Sequence, residues 1–386
     1  MKVNPNIFKE YDIRGKYPKE INEKVVCEIG RGFVKFLNLK TKDTIVVGRD
    51  KRPSSPKLAL AFISAILDSK INVIDIGKVT TPMFYFAIPF LGAKGGAMIT
   101  ASHLAKNSNG IKFVRKDAEP VGGKELQKIY QFASKSDVDA IDVRLHAPDS
   151  IQKINIKKDY LKAVGKFSAQ GGSASWRKKF NASFDYDGDR LIIKNFRGDI
   201  IGGILADIIV KKGDIIVYDL RCSHAIPEYF RNKGVKTIPC RIGHYNIEKL
   251  MREKRAVFGM EITGHYYFKE FHYCESPLYA LKILNEQTKK TGKNLNELAK
   301  PFTKYFHSGI IDFKDSRLKT QDSRLIEKYR NGAQNHLDGL TIEFSNWWFN
   351  LRQSHTEPIL TLVVEARTKE LLETKKKELK QFLLSS

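Results

Sequence analysis

Between Thr44 and Ser102 the chain alternates short apolar runs with longer amphipathic ones, and this pattern narrows the folds open to it. The order is a strand (TIVVG), a helix (SPKLALAFISAILDSK), a strand (INVIDIG), a helix from Pro82 and a strand (GAMIT). Strands separated by helical crossovers pair in parallel, so a mostly parallel sheet is expected. In such sheets ligands bind beyond the carboxyl ends of the strands, and Ser102 stands at one. From Lys212 the alternation resumes with DIIVYD, a helix through Tyr229, VKTIPC, a helix through Met251 and AVFGME, which predicts a second parallel unit. The last segment differs, with strands near residues 305–313, 340–344 and 359–365 followed by a helix rich in Lys, Glu and Leu. The predicted fold class is therefore multi-domain α/β, with mostly parallel mixed sheets and helical crossovers, plus a small C-terminal α+β domain.

A chain of 386 residues exceeds one compact core, and 42% hydrophobic with 28% charged residues is the composition of a folding protein. The longest apolar stretch, residues 84–93, is broken by Pro89 and is too short for a bilayer. Residues 1–19 carry no apolar core of a signal peptide, so a cytoplasmic location and no membrane partner are expected. Cys27, Cys222, Cys240 and Cys274 form no CxxC pair and read as reduced thiols. The net charge of +24 attracts polyanions, yet the lysines are dispersed and no finger spacing, RNP motif or basic arm accompanies them. A basic surface that favours phosphorylated substrates is preferred over nucleic-acid binding.

Four constellations carry chemistry. The first is Thr100-Ala101-Ser102-His103 with Asn109-Gly110-Ile111-Lys112, which could set a nucleophile beside proton carriers and a cation. A serine after a buried strand is commonly just a turn residue, and alone that plainer reading would win. The second is Asp185-Tyr186-Asp187-Gly188-Asp189-Arg190, three carboxylates whose repulsion calls for a hard cation such as Mg or Ca. An EF-hand fails, because Arg190 falls where the glycine belongs and Phe196 where the bidentate glutamate belongs.

The third, Glu261-Ile262-Thr263-Gly264-His265, offers a carboxylate, a hydroxyl and an imidazole at alternate positions, which in extended chain would face one way toward a polyol. The fourth, Arg352-Gln353-Ser354-His355-Thr356-Glu357-Pro358, offers the donors that a phosphate dianion needs. For these two a solvated loop or surface turn is the plain alternative. No P-loop is present, since no Gly-Lys pair precedes Ser or Thr.

Taken in this order, with Tyr11-Asp12-Ile13-Arg14-Gly15 and Gly48-Arg49-Asp50, the constellations resemble the α-D-phosphohexomutase superfamily, nearest its phosphomannomutase/phosphoglucomutase branch, from Phe8 to Ala366. The resemblance implies four domains, each lending one loop to a central cleft, here 1–148, 149–210, 211–303 and 304–386. It implies that Ser102 is the phosphorylated nucleophile, and that Asp185, Asp187 and Asp189 hold magnesium together with the phosphate on Ser102. Arg14, Lys112 and His103 would line the transfer site, with Arg14 and Lys112 the candidates for assisting proton transfer, and Tyr11 and Arg190 beside the substrate. Glu261 and Thr263 would grip sugar hydroxyls with help from His265. Arg352, Ser354 and Thr356 would bind the phosphate not being transferred, and Arg221 and His244 would add further contacts. A hexose 1,6-bisphosphate would serve as activator, the phosphosugar would be the partner, and an oligomer is compatible with the sequence.

The chain departs from the family pattern mainly between Ser102 and Asp185, where residues 160–181 leave room for little more than a helix and a strand, so the second domain is shortened. Within the resemblance the other enzyme considered is a phosphoglucosamine mutase, although Met-Glu-Ile-Thr at 260–263 lacks that branch's Glu-Gln-Ser wording. From another class, a catalytically decayed scaffold could bind polyanions through the basic surface. Joint retention of Ser102, the three aspartates, Glu261 and Arg352 argues against decay.

Overall fold

The computed structural model describes residues 3–102, 104–135, 151–165, 173–314, 322–354 and 359–384. Its contacts divide the chain into two compact units, Met1–Ile192 with Tyr267–Leu281, and Ile193–Tyr266 with Lys282–Ser386.

The first unit opens with β1 (Ile13–Lys16), α1 (Glu23–Leu37), β2 (Thr44–Arg49), α2 (Ser55–Asp68), β3 (Asn72–Lys78), α3 (Thr81–Phe90), β4 (Gly95–Ile99), β5 (Ser108–Arg115), α4 (Lys124–Ala133) and β6 (Gln152–Lys153). The strands make one sheet in the order β1-β5-β4-β2-β3-β6. β4, β2, β3 and β6 are parallel, as the alternation predicts, while β5 and β1 pair antiparallel at the other edge.

Local signals explain α1. Asn22 caps it by accepting a hydrogen bond from the Val25 amide, and Asn38, in the left-handed conformation, ends it. Its apolar stripe places Phe33 on Phe113 of β5, rings stacked 4.4 Å apart, with Phe62 of α2 completing that side of the core. On the other face Phe84, Tyr85 and Ile88 of α3 pack against Val46 and Met98. A sheet covered on both faces keeps Ile45, Val46 and Val47 fully buried, which is why β2 reads as a continuous apolar run.

Gly110 of β5 lies opposite Arg14 of β1, and its carbonyl accepts the Thr100 amide at 3.0 Å. A Cβ there would strike the carbonyl oxygen of Ile13, an atom of the backbone that cannot yield without breaking the strand pairing. Gly110→Ala is therefore expected to cost about 3 kcal/mol or more. Urea unfolding of the variant checks this, and a midpoint equal to wild type would show that the two strands separate easily.

The shortened segment comprises α5 (Lys157–Gly165), α6 (Ser173–Phe180) and the two-stranded pair β7 (Ala182–Phe184) and β8 (Leu191–Ile193). It is slightly richer than the helix and strand expected, because two short helices precede β7. Tyr160 of α5 anchors it, meeting Phe86 of α3 edge-on at 5.7 Å, with its hydroxyl 3.2 Å from Ser276 Oγ.

In the second unit, α7 (Gly198–Ile209), β9 (Ile215–Asp219), α8 (Ala225–Asn232), β10 (Lys236–Cys240), α9 (His244–Lys254) and β11 (Phe258–Met260) realise the second alternation, with β10, β9 and β11 parallel. The chain next forms β12 (Tyr266–Phe268), which pairs through Tyr267 and Phe268 with β13 (Cys274–Glu275), and continues through α10 (Pro277–Thr291) and α11 (Leu295–Ala299). The last segment is β14 (Phe306–His307), β15 (Ile311–Phe313), α12 (Asp322–Lys328), β16 (Ala333–Asn335), β17 (Leu340–Glu343), β18 (Trp347–Gln353), β19 (Leu360–Ala366) and α13 (Lys369–Leu384). Its sheet is antiparallel in the order β14-β19-β18-β17-β16, with β15 also on β19, and Leu372, Leu379 and Leu383 of α13 bury against it. This is the expected α+β arrangement. Among the described residues no helix is long and apolar enough to cross a membrane, and the four cysteines are buried free thiols.

Candidate active site

In the first unit the chemistry gathers beyond the carboxyl end of β4. Ser102, three residues past that end and only 3% exposed, has φ +51°, a left-handed conformation uncommon for serine. Its amide donates to Thr100 Oγ1 at 3.0 Å, and that hydroxyl lies 2.8 Å from Asp50 Oδ2 and 3.3 Å from Asp187 Oδ2. One threonine hydroxyl thus joins the serine turn to the acidic turn.

The acidic turn between β7 and β8 folds on itself and on the first sheet. Asp185 Oδ1 accepts the amides of Asp189 and Arg190 at 3.1 and 3.2 Å, and Gly188 takes φ +74° at the bend. A side chain at Gly188 would also press on Thr80 Cγ2 at 2.8 Å. Asp187 docks on the start of α3: Thr81 donates its amide to the Asp187 carbonyl and its hydroxyl to Oδ2, both at 2.9 Å. Support that a full second domain would give the turn comes here from α3 and from Lys51 and Arg52, whose cationic groups lie 4.4 and 4.7 Å from the centre of the Tyr186 ring.

One oxygen from each of Asp185, Asp187 and Asp189 lies within 4.8 Å of the others. Lys112 Nζ, on β5, is 2.6 Å from Asp189 and 3.5 Å from Asp187. Burial alone would lower the lysine, but Asp189, Asp187 and Glu275 outweigh it and hold it well above the ordinary value. Arg190 reaches Asp185 only at 3.8 Å. Burial, then Asp189 and Asp187, push Asp185 up to about 8. Arg14 on β1 grips Asp12 Oδ2 through Nε and Nη2, both at 2.7 Å; burial lowers its basicity but Asp12 more than restores it. Tyr11 is half-buried beside it.

In the second unit Asp219, at the carboxyl end of β9, holds Arg221 through Oδ1 to the amide at 2.9 Å and Oδ2 to Nη2 at 2.7 Å. His307 Nε2 lies 3.0 Å from the Arg221 carbonyl, while its Nδ1 accepts the Gly309 amide at 2.9 Å, which fixes the proton on Nε2. His244 opens α9, with Nδ1 3.4 Å from Glu248.

The sequence placed Glu261, Thr263 and His265 along extended chain, and this is corrected. Residues 261–264 form a tight turn, closed by the Gly264 amide on the Glu261 carbonyl at 3.1 Å, with Gly264 at φ +91°. Glu261 and His265 come together because the Glu261 amide donates to the His265 carbonyl at 3.0 Å, and Thr263 Oγ1 sits 3.4 Å from Glu261 Oε2. Arg352, near the end of β18, is held by Asp338 Oδ1 at 3.0 Å, and Ser354 pairs with the Ile359 carbonyl at 2.8 Å where β18 gives way to the loop. His103 and Thr356 lie outside the described residues.

Two family descriptions match the chain: phosphoglucomutase/phosphomannomutase, alpha/beta/alpha domain I, over residues 5–139, and domain III of the same family over residues 197–305. A phosphomannomutase of Methanocaldococcus jannaschii is 32% identical, with 98% of this chain and 97% of the relative covered. The chain belongs to the α-D-phosphohexomutase superfamily. A Vibrio cholerae phosphomannomutase is 29% identical over 93% of this chain and 94% of its own. A phosphoglucomutase/phosphomannomutase family protein of Burkholderia thailandensis has the same fold, with a TM-score of 0.79, 22% identity, and 99% and 98% of the two chains covered. The archaeal alignment spans 456 positions against 386 residues here, so that relative carries segments this phosphohexomutase lacks. Enzymes of this superfamily are isomerases that transfer a phosphoryl group within one sugar.

The acidic turn of this phosphohexomutase fits a hard divalent cation. Among the described residues Asp185 Oδ2 and Asp187 Oδ1 are buried with no hydrogen-bond donor, and Lys112 reaches two of the three carboxylates, Asp189 and Asp187. A cation with oxygen preference would relieve that imbalance.

Sequence reasoning passed over Asp338, which reads only as the start of an Asp-Gly turn. Its second oxygen accepts the Ile242 amide at 2.9 Å, so one carboxylate couples Arg352 to the turn leading into His244. Asp338→Ala is expected to lower stability by about 1–3 kcal/mol, leaving a buried amide unpaired, and to raise KM for hexose phosphates about tenfold. Unfolding curves and steady-state kinetics check both; an unchanged KM would mean that Arg352 holds its place unaided.

Proposed function

We propose that this phosphohexomutase interconverts hexose 1-phosphate and hexose 6-phosphate, with mannose or glucose as the sugar, through a phosphoserine at Ser102 and a hexose 1,6-bisphosphate intermediate. The observation that carries this is Ser102 held in a left-handed turn one hydroxyl away from Asp187 of the acidic turn. In the first half-reaction the bond from phosphorus to Ser102 Oγ breaks, a bond from phosphorus to the oxygen of the free sugar hydroxyl forms, and the proton of that hydroxyl ends on Ser102 Oγ, which regenerates the serine hydroxyl. The bisphosphate then turns around, and its other phosphoryl group returns to Ser102.

Asp185, Asp187, Asp189 and the phosphate on Ser102 would hold magnesium, which when bound supplies charge neutralisation to the transferring group. Lys112 and Arg14 are both held above their ordinary pKa, so they serve as fixed positive charge at the transfer site, with His103 as the nearest titratable companion in sequence. Tyr11 and Arg190 touch the substrate from the first unit. Glu261, Thr263 and His265 read the sugar hydroxyls, and Arg352, Ser354 and Thr356 bind the phosphate at rest, with Arg221 and His244 adding contacts. The segments 1–148, 149–210, 211–303 and 304–386 each supply one of these loops. A trace of hexose 1,6-bisphosphate primes the serine, and the enzyme works in the cytoplasm on a free phosphosugar.

Phosphorus NMR of mannose 1-phosphate, glucose 1-phosphate and glucosamine 1-phosphate, with magnesium and bisphosphate primer, tests the substrate class. The expected result is conversion of the first two to 6-phosphates. Faster conversion of the amino sugar would reassign the enzyme as a phosphoglucosamine mutase. No conversion of any sugar by folded protein would favour a polyanion-binding scaffold, whose nucleic-acid affinity would fall steeply with salt.

A further inference from the structure

Three residues before α2 stands Arg52, an arginine outside the sequence constellations and so far given no part in the reaction. Arg52 is 1% exposed, and all five of its guanidinium N–H groups are matched. Nε donates to Asp50 Oδ2 at 3.0 Å. Nη1 donates to the carbonyls of Ala105 at 2.7 Å and Ser108 at 3.0 Å. Nη2 donates to the carbonyls of Ser102 at 2.6 Å and Leu104 at 2.8 Å. Four bonds from one planar group therefore end on the backbone of the loop that carries Ser102. The Tyr186 ring, between Asp185 and Asp187, covers the same guanidinium at 4.7 Å.

We infer that Arg52 is a positioning residue for phosphoryl transfer, which fixes the Ser102 backbone, and through it Oγ, relative to the acidic turn. The inference rests on the reading of Ser102 as nucleophile. A non-glycine residue at φ +51° is held there only when its surroundings over-determine it, and the carbonyl clamp does so. The plain alternative is a buried arginine that merely stabilises the fold. Against that, its four carbonyl acceptors all belong to one loop, so its removal should be felt there rather than throughout the unit.

The second unit offers an internal comparison. Arg221 follows Asp219 with the same spacing and the same amide-to-carboxylate clasp as Arg52 after Asp50. Yet Arg221 directs Nε and Nη2 to Asp219 itself, with no fan of carbonyl acceptors among the described residues. One Asp-x-Arg after a parallel strand thus organises a loop, and the other presents an arginine. Lysine cannot replace Arg52, because an ammonium donates from a single point and cannot span four carbonyls.

The test compares wild type with Arg52→Lys under conditions where near-ultraviolet circular dichroism shows both folded. Turnover of mannose 1-phosphate and glucose 1-phosphate is measured with magnesium and bisphosphate primer, alongside amide hydrogen exchange. The expected result is a kcat lowered about 100-fold with KM within about threefold, and faster exchange confined to the amides of Ser102, Leu104 and Ser108. A kcat within about threefold of wild type, or exchange raised evenly across the unit, would overturn the inference. If wild type itself turned over neither sugar, the functional reading would fail, and the exchange pattern alone would still decide whether Arg52 sets the loop.

Discussion

Replacing Ser102 with alanine is expected to lower turnover of mannose 1-phosphate and glucose 1-phosphate by more than about 10⁴-fold, the scale seen when a covalent nucleophile is deleted. Unlike a weakened binding contact, the loss cannot be recovered by more substrate, because the phosphoryl group then has nowhere to reside while the bisphosphate turns. The fold should survive. The amide of residue 102 keeps its bond to Thr100 Oγ1 and its carbonyl keeps the bond from Arg52, since both are backbone groups. Steady-state kinetics with thermal unfolding on the same preparation separates the two effects. A variant that is folded and retains turnover would move the nucleophile elsewhere.

The second large effect runs in opposite directions for stability and activity. In the metal-free protein Asp185 is pushed up to about 8, first by burial and then by Asp189 and Asp187. An acid whose folded pKa is raised contributes stability that is fully present below its unfolded pKa, near 4, and is lost as pH rises toward about 8. At neutral pH the folded protein must keep this carboxyl protonated while the unfolded chain ionises it, so Asp185 opposes folding there and above unless a cation joins it. Asp185→Asn keeps an Oδ1 acceptor for the amides of Asp189 and Arg190 while removing the charge. The variant without metal is expected to melt a few degrees higher than wild type at pH 8, at about 2–4 °C per kcal/mol, and to match it at pH 4. Its turnover should fall about 10²-fold or more. Magnesium should raise the melting temperature of wild type and not of the variant. A variant that melts lower and still responds to magnesium would show that the acidic turn is not the metal site.

The parallel units were legible because their strands are buried on both faces, so β2 and β9 appear as apolar runs separated by amphipathic helices. The acidic turn was legible because three aspartates in five residues have few other uses. What failed was the extended geometry assumed for residues 261–265, where Gly264 at φ +91° turns the chain. A period of two in sequence cannot distinguish a short strand from a turn that happens to alternate. The residues that hold the site were harder still. Arg52, Thr81 and Asp338 act on partners 14 to 106 positions away, through carbonyls, amides and carboxylates that carry no local pattern. Such long-range contacts become visible only when the chain is folded.

The most direct measurement is to incubate the enzyme with hexose 1,6-bisphosphate labelled with radioactive phosphorus, isolate the protein, and map the label by peptide digestion before and after a chase with unlabelled mannose 1-phosphate. Label on the peptide containing Ser102, removed by the chase into soluble hexose phosphate and absent from Ser102→Ala, is the expected result. Turnover that proceeds with no label on the protein, or with label on another residue, would contradict transfer through Ser102.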